Sequence, residues 1–179
     1  MSNLAYKLPY TIKDYDMWEG DWELIDGDAI AIAPSPFGRH QAIISKMLFQ
    51  IESSFDKCPN PCFAYPDTDY VIDELNVFRP DISILCKKVA KRITSTPKLI
   101  VEVLSDSTAL KDTTIKFDTY EKEGVEYYLM VDYKTRRVKL YHLKEYKYQK
   151  IEDKNDGKFS LKINKCDIEF DIDKWWSVL

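Results

Sequence analysis

Two acidic residues interrupt the most apolar runs of this chain. Asp81 directly precedes Ile82-Ser83-Ile84-Leu85, and Glu102 lies inside Leu99-Ile100-Val101-Glu102-Val103-Leu104. Both runs have the length and the β-branched content of buried strands. Ionised carboxylates are almost never buried without a partner. A fold for this chain must therefore bring something positive to both side chains, and a metal ion is the usual solution.

Length and composition restrict the class of protein. The chain has 179 residues, of which 45% are hydrophobic and 31% are charged. We expect one domain over residues 1–179, with a substantial core. No apolar run reaches the length of about 18 residues that a membrane helix needs, and residues 1–7 lack the pattern of a secretory signal. These features predict a cytoplasmic protein with no membrane partner.

The four cysteines do not form a zinc pattern. Cys58 and Cys62 are the one close pair, and neither a second pair nor a His-x-x-x-His motif completes a tetrahedral ligand set. In a reducing cytosol, we expect Cys58, Cys62, Cys86 and Cys166 to be reduced structural thiols.

The charge pattern leaves contact with nucleic acid open. A formal net charge of −4 is not typical of a protein that coats nucleic acid. Two basic clusters, at residues 87–92 and 134–137, are candidates for local phosphate contacts. The alternative is that both are solvated turns beside strands.

Hydrophobic periodicity predicts an α/β (α+β) fold. The predicted elements are a short N-terminal helix or entry segment at 9–18, a hairpin with its turn at Asp26-Gly27-Asp28, helices at 37–51 and 108–123, and strands at 63–72, 81–86, 98–104, 126–132, 137–143, 146–151 and 159–163. This order predicts a central mixed β-sheet flanked by α-helices, with extra N-terminal and C-terminal hairpins.

The second helix carries a polar stripe that can reach Glu102. Asp112, Lys116 and Tyr120 are spaced i, i+4 and i+8, and a short connection joins this helix to the strand that holds Glu102. If the strands of Asp81 and Glu102 are neighbours, both carboxylates can bind one Mg²⁺ ion, which prefers oxygen ligands. The backbone carbonyl of Val103 is a plausible further ligand.

Lys116 would orient or deprotonate an attacking water and stabilise the transition state of phosphodiester cleavage. Simpler alternatives exist for each residue. Asp81 can serve a turn or a strand start, Tyr120 can be a core aromatic, and Asp112 with Lys116 can be an exposed ion pair worth about 0.3–0.5 kcal/mol.

Short motifs of a recognisable order span roughly residues 10–145. They are the segment 22–27, Pro34-Ser35-Pro36 with His40-Gln41, Arg79-Pro80-Asp81, the segment 101–108, Asp112, Lys116-Phe117, Tyr120, Gly124-Val125 and the segment 128–132. In this order they resemble the Uma-two family of restriction-endonuclease-like proteins in the PD-(D/E)XK nuclease superfamily.

The resemblance implies a restriction-endonuclease-like core with a divalent-metal site, in which Asp81 and Glu102 are metal ligands. The usual lysine two positions after the acidic residue is absent, because Leu104 stands there. The resemblance places the missing amine at Lys116, as in relatives whose lysine has migrated.

Glu23 and His40 are secondary catalytic candidates. Glu23 starts a strand of the N-terminal hairpin, and His40 lies early on the first long helix, where many such nucleases place an acidic residue near the metal. The alternatives are a cross-strand hairpin partner for Glu23 and a solvent-facing helix position for His40. His142 is expected to be a structural strand residue.

We therefore expect an endonuclease that depends on Mg²⁺ (or Mn²⁺) and hydrolyses DNA phosphodiester bonds with metal-activated water. The alternative is a catalytically weak or inactive nuclease fold that binds nucleic acid or regulates. A homodimer would suit double-strand cleavage. Trp175 and Trp176 are either exposed aromatics at such an interface or packed onto their own domain.

Overall fold

The computed structural model describes residues 8–32, 38–59, 62–105 and 109–179. Pro34-Ser35-Pro36 and residues 106–108 of the predicted motifs lie outside the described residues. The helices are α1 (Ile12–Tyr15), α2 (Gly38–Phe55), α3 (Ala109–Thr113), α4 (Ile115–Lys122) and α5 (Ile172–Trp176). The strands are β1 (Trp22–Ile25), β2 (Asp28–Ala31), β3 (Phe63–Pro66), β4 (Tyr70–Val71), β5 (Val77–Phe78), β6 (Ile82–Leu85), β7 (Leu99–Leu104), β8 (Tyr127–Asp132), β9 (Arg137–Lys144), β10 (Lys147–Lys154), β11 (Lys158–Ile163) and β12 (Cys166–Asp171).

A six-stranded mixed sheet forms the centre of the fold, in the order β10-β9-β8-β7-β6-β3. Strands β7 and β8 are parallel, and the other neighbours in this sheet are antiparallel. The N-terminal hairpin belongs to a second sheet, β2-β1-β5-β4, and β11 pairs with β12 in a C-terminal hairpin. The predicted fold class is confirmed.

The alternation of side chains along β7 decides where Glu102 points. Val101 and Val103 belong to the apolar cluster that includes Ile43 and Met47 of α2. Ile100 belongs to the cluster on the other face of the sheet, which contains Tyr120 of α4. Because residues i and i+2 of a strand share a face, Glu102 points with Ile100 into the core beneath α4.

The turn of the N-terminal hairpin is confirmed. Asp26 and Gly27 have φ angles of 49° and 78°, the left-handed conformation that a two-residue hairpin turn requires. A Cβ at Gly27 would lie 2.3 Å from the Cβ of Pro9, so the close approach of the two segments also depends on glycine.

Several predicted elements have other bounds in the structure. The predicted strand at 63–72 is two strands, β3 and β4, separated by a turn in which Asp67 has a φ of 43°. The predicted helix at 108–123 is broken between Thr113 and Ile115 into α3 and α4. Strand β12 and helix α5 were absent from the sequence-based assignment.

The C-terminal tryptophans are buried, so the interface interpretation for them is wrong. Trp175 is 0% and Trp176 is 9% exposed. The indole of Trp175 packs against Phe159 and Phe170, and its Nε1 donates to Oε1 of Gln50 on α2 at 2.9 Å. The aromatic pair therefore joins the C-terminal hairpin to α2.

The expectation of four reduced thiols is wrong in this structure. Disulfides join Cys58 to Cys166 and Cys62 to Cys86. The sequence pattern did not show this because partners 108 and 24 residues apart are brought together only by the fold. Among the helices within the described ranges, none has the length and apolarity to cross a membrane.

Candidate active site

Pairing of β6 with β7 brings the two predicted carboxylates together. Ile82 is paired with Val101 in this antiparallel ladder, and one step further along the same register Asp81 stands opposite Glu102. Oδ2 of Asp81 accepts a hydrogen bond of 2.6 Å from the backbone N–H of Val103. Asp81 therefore stands directly before β6, as the strand-start alternative has it, and is also hydrogen-bonded to the strand of Glu102.

Lys116 binds Glu102 inside the core. Its Nζ donates to Oε1 of Glu102 at 2.9 Å, and the hydroxyl of Tyr120 donates to the same oxygen at 3.1 Å. The exposed fractions of Lys116 and Glu102 are both 3%. The predicted stripe of Asp112, Lys116 and Tyr120 lies over Glu102, although the helix predicted to carry it is broken into α3 and α4.

Three carboxylates surround the ammonium group of Lys116. Besides Glu102, Nζ lies 2.9 Å from Oε1 of Glu23 and 3.4 Å from Oδ1 of Asp112. Glu23 and Asp112 are each 1% exposed. We call Glu23, Glu102, Asp112 and Lys116 the Lys116 cluster. The alternative of an exposed helical ion pair between Asp112 and Lys116 is wrong.

Glu23 connects three separate segments of the chain. Its Oε1 also accepts a hydrogen bond of 2.9 Å from the backbone N–H of Arg79, two residues before Asp81, and its Oε2 contacts Nζ of Lys111 on α3. Across the hairpin its partner is the apolar Ile30, so a cross-strand polar pair is not its role. Sequence reasoning missed Lys111, which lies five residues before Lys116 and thus off the helical stripe.

His40 lies on the opposite side of Asp81 from the Lys116 cluster. It is 5% exposed, and its Nε2 is 3.3 Å from Oδ2 of Asp81, so the solvent-facing alternative is wrong. Burial lowers the pKa of His40, but the hydrogen bond and the charge of Asp81 outweigh this and raise it above its ordinary value. The other ring nitrogen, Nδ1, is buried without a hydrogen-bond partner among the described residues.

Burial and the surrounding carboxylates together set the pKa values of Glu102 and Lys116. Burial raises the pKa of Glu102, and Asp112 and Asp81 raise it further, against the opposing effect of Lys116. Burial would lower the pKa of Lys116, but Glu102, Glu23 and Asp112 outweigh it and hold the pKa well above its ordinary range. Lys116 is therefore a permanent cation.

Glu23 differs from Glu102 because it contacts two lysines. Burial alone would raise the pKa of Glu23, but Lys116 and Lys111 lower it below its ordinary value. Glu23 is thus held in its anionic form, whereas the raised pKa of Glu102 favours its protonated form more than in an ordinary glutamate.

Asp67 is a further acidic residue of the site that sequence reasoning missed. Its backbone N–H donates to the carbonyl oxygen of Asp81 at 3.2 Å. Burial and the charge of Asp81 raise the pKa of Asp67. The sequence offered no signal for Asp67 beyond its place after Pro66, because its approach to Asp81 depends on the pairing of β3 with β6.

The carboxylates of this site suit a divalent cation that takes most of its ligands from water. Within the described ranges, no group of three or more His, Cys, Asp or Glu side chains is arranged to hold a metal ion. Mg²⁺ does not need such a group, because it commonly takes one or two carboxylates and keeps several waters. Asp81 and Glu102 could supply these oxygens. Burial raises the pKa of Glu102 and the charges of Asp112 and Asp81 raise it further, so a cation bound beside Glu102 would favour its ionised form.

His142 and Tyr120 both pack against other aromatic side chains. His142 lies on β9 and stacks on Tyr127, with ring centroids 4.4 Å apart, as expected for a strand residue. Tyr120 is 0% exposed and edge-packed against Phe78 and Tyr128, so it combines its core position with the hydrogen bond to Glu102.

Comparison with known proteins agrees with this architecture. The fold matches the crystal structure of a protein from Anabaena variabilis ATCC 29413, described as a putative nuclease belonging to DUF820. The TM-score is 0.76 at 18% sequence identity, and the match covers 95% of this chain and 99% of the other. This chain therefore shares its fold with that protein.

The family can be stated more closely. The family model Uma2, described as putative restriction endonuclease, matches residues 12–163, so the chain belongs to this family and is a restriction-endonuclease-like protein. No curated protein matches the sequence.

Proposed function

We propose that this protein is a divalent-metal-dependent endonuclease that hydrolyses phosphodiester bonds of DNA, with Mg²⁺ or Mn²⁺ as its cofactor. The observation that carries the proposal is the position of Asp81, directly before β6 and hydrogen-bonded to Val103 next to Glu102 on β7, with Lys116 hydrogen-bonded to Glu102. The family is described as one of restriction endonucleases and the Anabaena protein as a nuclease, which supports the same reaction class.

In this proposal Asp81, Glu102 and the backbone carbonyl of Val103 hold the metal. When bound, the metal supplies a water of lowered pKa and positive charge beside the phosphate. The surrounding residues fix the carboxylates. The Val103 N–H and His40 orient Asp81, and Lys116 and Tyr120 orient Glu102.

The role proposed for Lys116 is narrower than the sequence suggested. Because three carboxylates keep its amine protonated, Lys116 is unsuited to deprotonate a water. It instead places a fixed positive charge beside the reacting phosphate, where electrostatic stabilisation of the transition state is most effective. His40 and Glu23 are positioning residues in this scheme, since both act through Asp81, Arg79 or Lys116.

The proposal includes a cytoplasmic location, where cellular reductants would act on the two disulfides, and it allows a homodimer. Two copies related by a two-fold axis would address the two strands of a duplex. The aromatic pair Trp175-Trp176 is buried in its own chain and does not contribute to the argument for a dimer.

Cleavage of supercoiled plasmid and of single-stranded DNA tests the proposal. The wild-type protein is expected to cut in Mg²⁺ or Mn²⁺ and to stop on chelation. Glu102→Gln and Asp81→Asn are expected to lose at least about a hundredfold in rate, since each removes a charged ligand oxygen. Glu52→Gln, an exposed change on α2, is the matched control and should cut at the wild-type rate.

A second candidate, a nuclease fold that binds nucleic acid without turnover, is favoured by one observation. The amine of Lys116 is 3% exposed and is already bound by three carboxylates. In that case, the wild-type protein binds DNA yet shows no cleavage that Glu102→Gln removes. That outcome contradicts the enzyme proposal and supports the second candidate.

A further inference from the structure

Two lysines contact Glu23, and one of them lies close to solvent. We infer that Lys111, on α3, is a further catalytic residue, whose ammonium group binds the DNA phosphate at the reacting bond while Glu23 orients it. The inference rests on the proposed function and adds to it the cation that touches the substrate.

The ammonium group of Lys116 is enclosed by carboxylates. Its Nζ lies 2.9 Å from Glu102, 2.9 Å from Glu23 and 3.4 Å from Asp112. An ammonium group has three N–H donors, so three carboxylates match its whole capacity. Lys116 therefore acts on a phosphate through its charge, because a direct contact would break a buried ion pair.

Lys111 has one carboxylate partner among the described residues. Its Nζ is paired with Oε2 of Glu23, and its remaining N–H donors are available to a further acceptor. The Lys111 side chain is 17% exposed, against 3% for Lys116. Its four-carbon stem is flexible, so the ammonium group can adjust to a bound phosphate and keep its contact with Glu23.

Glu23 fixes how far Lys111 lies from the proposed metal site. Its Oε2 contacts Nζ of Lys111, and its Oε1 is 2.9 Å from Nζ of Lys116. That Nζ is in turn 2.9 Å from Oε1 of Glu102. With a hydrogen-bonded contact at each step, Nζ of Lys111 is at most about 11 Å from this oxygen. A metal ion with oxygen bonds of about 2.1 Å and a phosphate that accepts a hydrogen bond of about 2.8 Å fit into this distance.

Solvent reaches the site at Asp81 and at Lys111. The side chain of Asp81 is 16% exposed, whereas those of Glu23 and Glu102 are at most 4% exposed. Helix α3 lies at the surface, where Leu110, directly before Lys111, is exposed. A phosphate that arrives from solvent therefore reaches Lys111 without displacing a buried group.

Arg79 is a less suitable cation for this contact. Its guanidinium group is paired with Asp21 and, at 2.9 Å, with Asp69. The backbone N–H of Arg79, and not its side chain, is the group that contacts Glu23. Lys111 is thus the accessible cation beside Glu23 whose donors are not divided between several carboxylates.

Removal of the charge of Lys111 tests the inference. Cleavage in Mg²⁺, and binding of a fluorescently labelled duplex without divalent metal at several salt concentrations, are measured for wild type, Lys111→Gln, Lys111→Arg and Lys122→Gln. We expect Lys111→Gln to lower kcat at least about tenfold and to lower the slope of log K against log salt by about one. Lys111→Arg keeps the charge and should keep the slope. Lys122→Gln, at the exposed end of α4, is the control and should change neither quantity.

The outcomes separate this inference from the proposed function. Wild-type cleavage together with an unchanged salt slope in Lys111→Gln overturns the inference, because a lysine that only balances the charge of Glu23 makes no phosphate contact to lose. Absence of metal-dependent cleavage by the wild type overturns the proposed function and the inference with it. If Lys111→Gln does not fold, as judged by circular dichroism, Glu23→Gln/Lys111→Gln is compared with Glu23→Gln, and the same fall in slope is expected.

Discussion

Replacement of Lys116 by methionine is expected to lower the free energy of unfolding by about 3–5 kcal/mol, because it leaves buried carboxylates without their counter-ion. Glu23, Glu102 and Asp112 all contact this amine and are at most 3% exposed. Methionine keeps much of the side-chain length and removes the charge. Urea denaturation followed by circular dichroism measures the change.

The matched control is Lys122→Met, at the exposed end of the same helix. It is expected to change stability by less than about 0.5 kcal/mol, as surface substitutions usually do. The double variant Lys116→Met/Glu102→Gln should be non-additive by about 0.5–3 kcal/mol, since the two side chains are hydrogen-bonded. Equal, small losses in Lys116→Met and Lys122→Met would contradict the buried Lys116 cluster.

Reduction of the disulfides is expected to have an effect of similar size. Cys58 and Cys166 are separated by 108 residues, and a cross-link that closes a loop of this length stabilises by roughly 4–5 kcal/mol in the chain-entropy model. This bond ties the end of α2 to the first residue of β12. The double variant Cys58→Ser/Cys166→Ser, unfolded in urea beside the wild type, measures its contribution.

The disulfide between Cys62 and Cys86 closes a shorter loop and provides a comparison for the stabilisation. Cys62 and Cys86 are only 24 residues apart, so Cys62→Ser/Cys86→Ser is expected to lose about 1 kcal/mol less than the first variant. Thiol titration of the purified, denatured protein without reductant is the direct control. Four titratable thiols would contradict the disulfides and restore the expectation of a reduced protein.

Asp81 and Glu102 could be predicted from the sequence because a charged side chain inside an apolar strand needs a partner. Asp81 and Glu102 stand in runs too apolar to be solvated, and ordinary strand alternation predicts that Glu102 points away from Val101 and Val103. Despite the break between α3 and α4, Lys116 contacts both Asp112, at 3.4 Å, and Glu102, at 2.9 Å, as the i, i+4 spacing predicted.

What the sequence did not predict depends on contacts between distant segments. Lys111 reaches Glu23 across 88 residues, and Asp67 approaches Asp81 only through the pairing of β3 with β6. The burial of His40 follows from the packing of α2 against the sheet, which its own helix pattern does not determine. The disulfides were missed for the same reason, since local spacing of cysteines says nothing about partners brought together by the fold.

We propose that Asp81 and Glu102 form a site for a divalent cation. Isothermal titration calorimetry of Mn²⁺ into wild-type protein and into Asp81→Asn tests it without any need for the DNA substrate. We expect one Mn²⁺ to bind per chain in the wild type, with affinity at least about tenfold weaker in Asp81→Asn. Unchanged binding in Asp81→Asn, or no binding in the wild type, would contradict the claim.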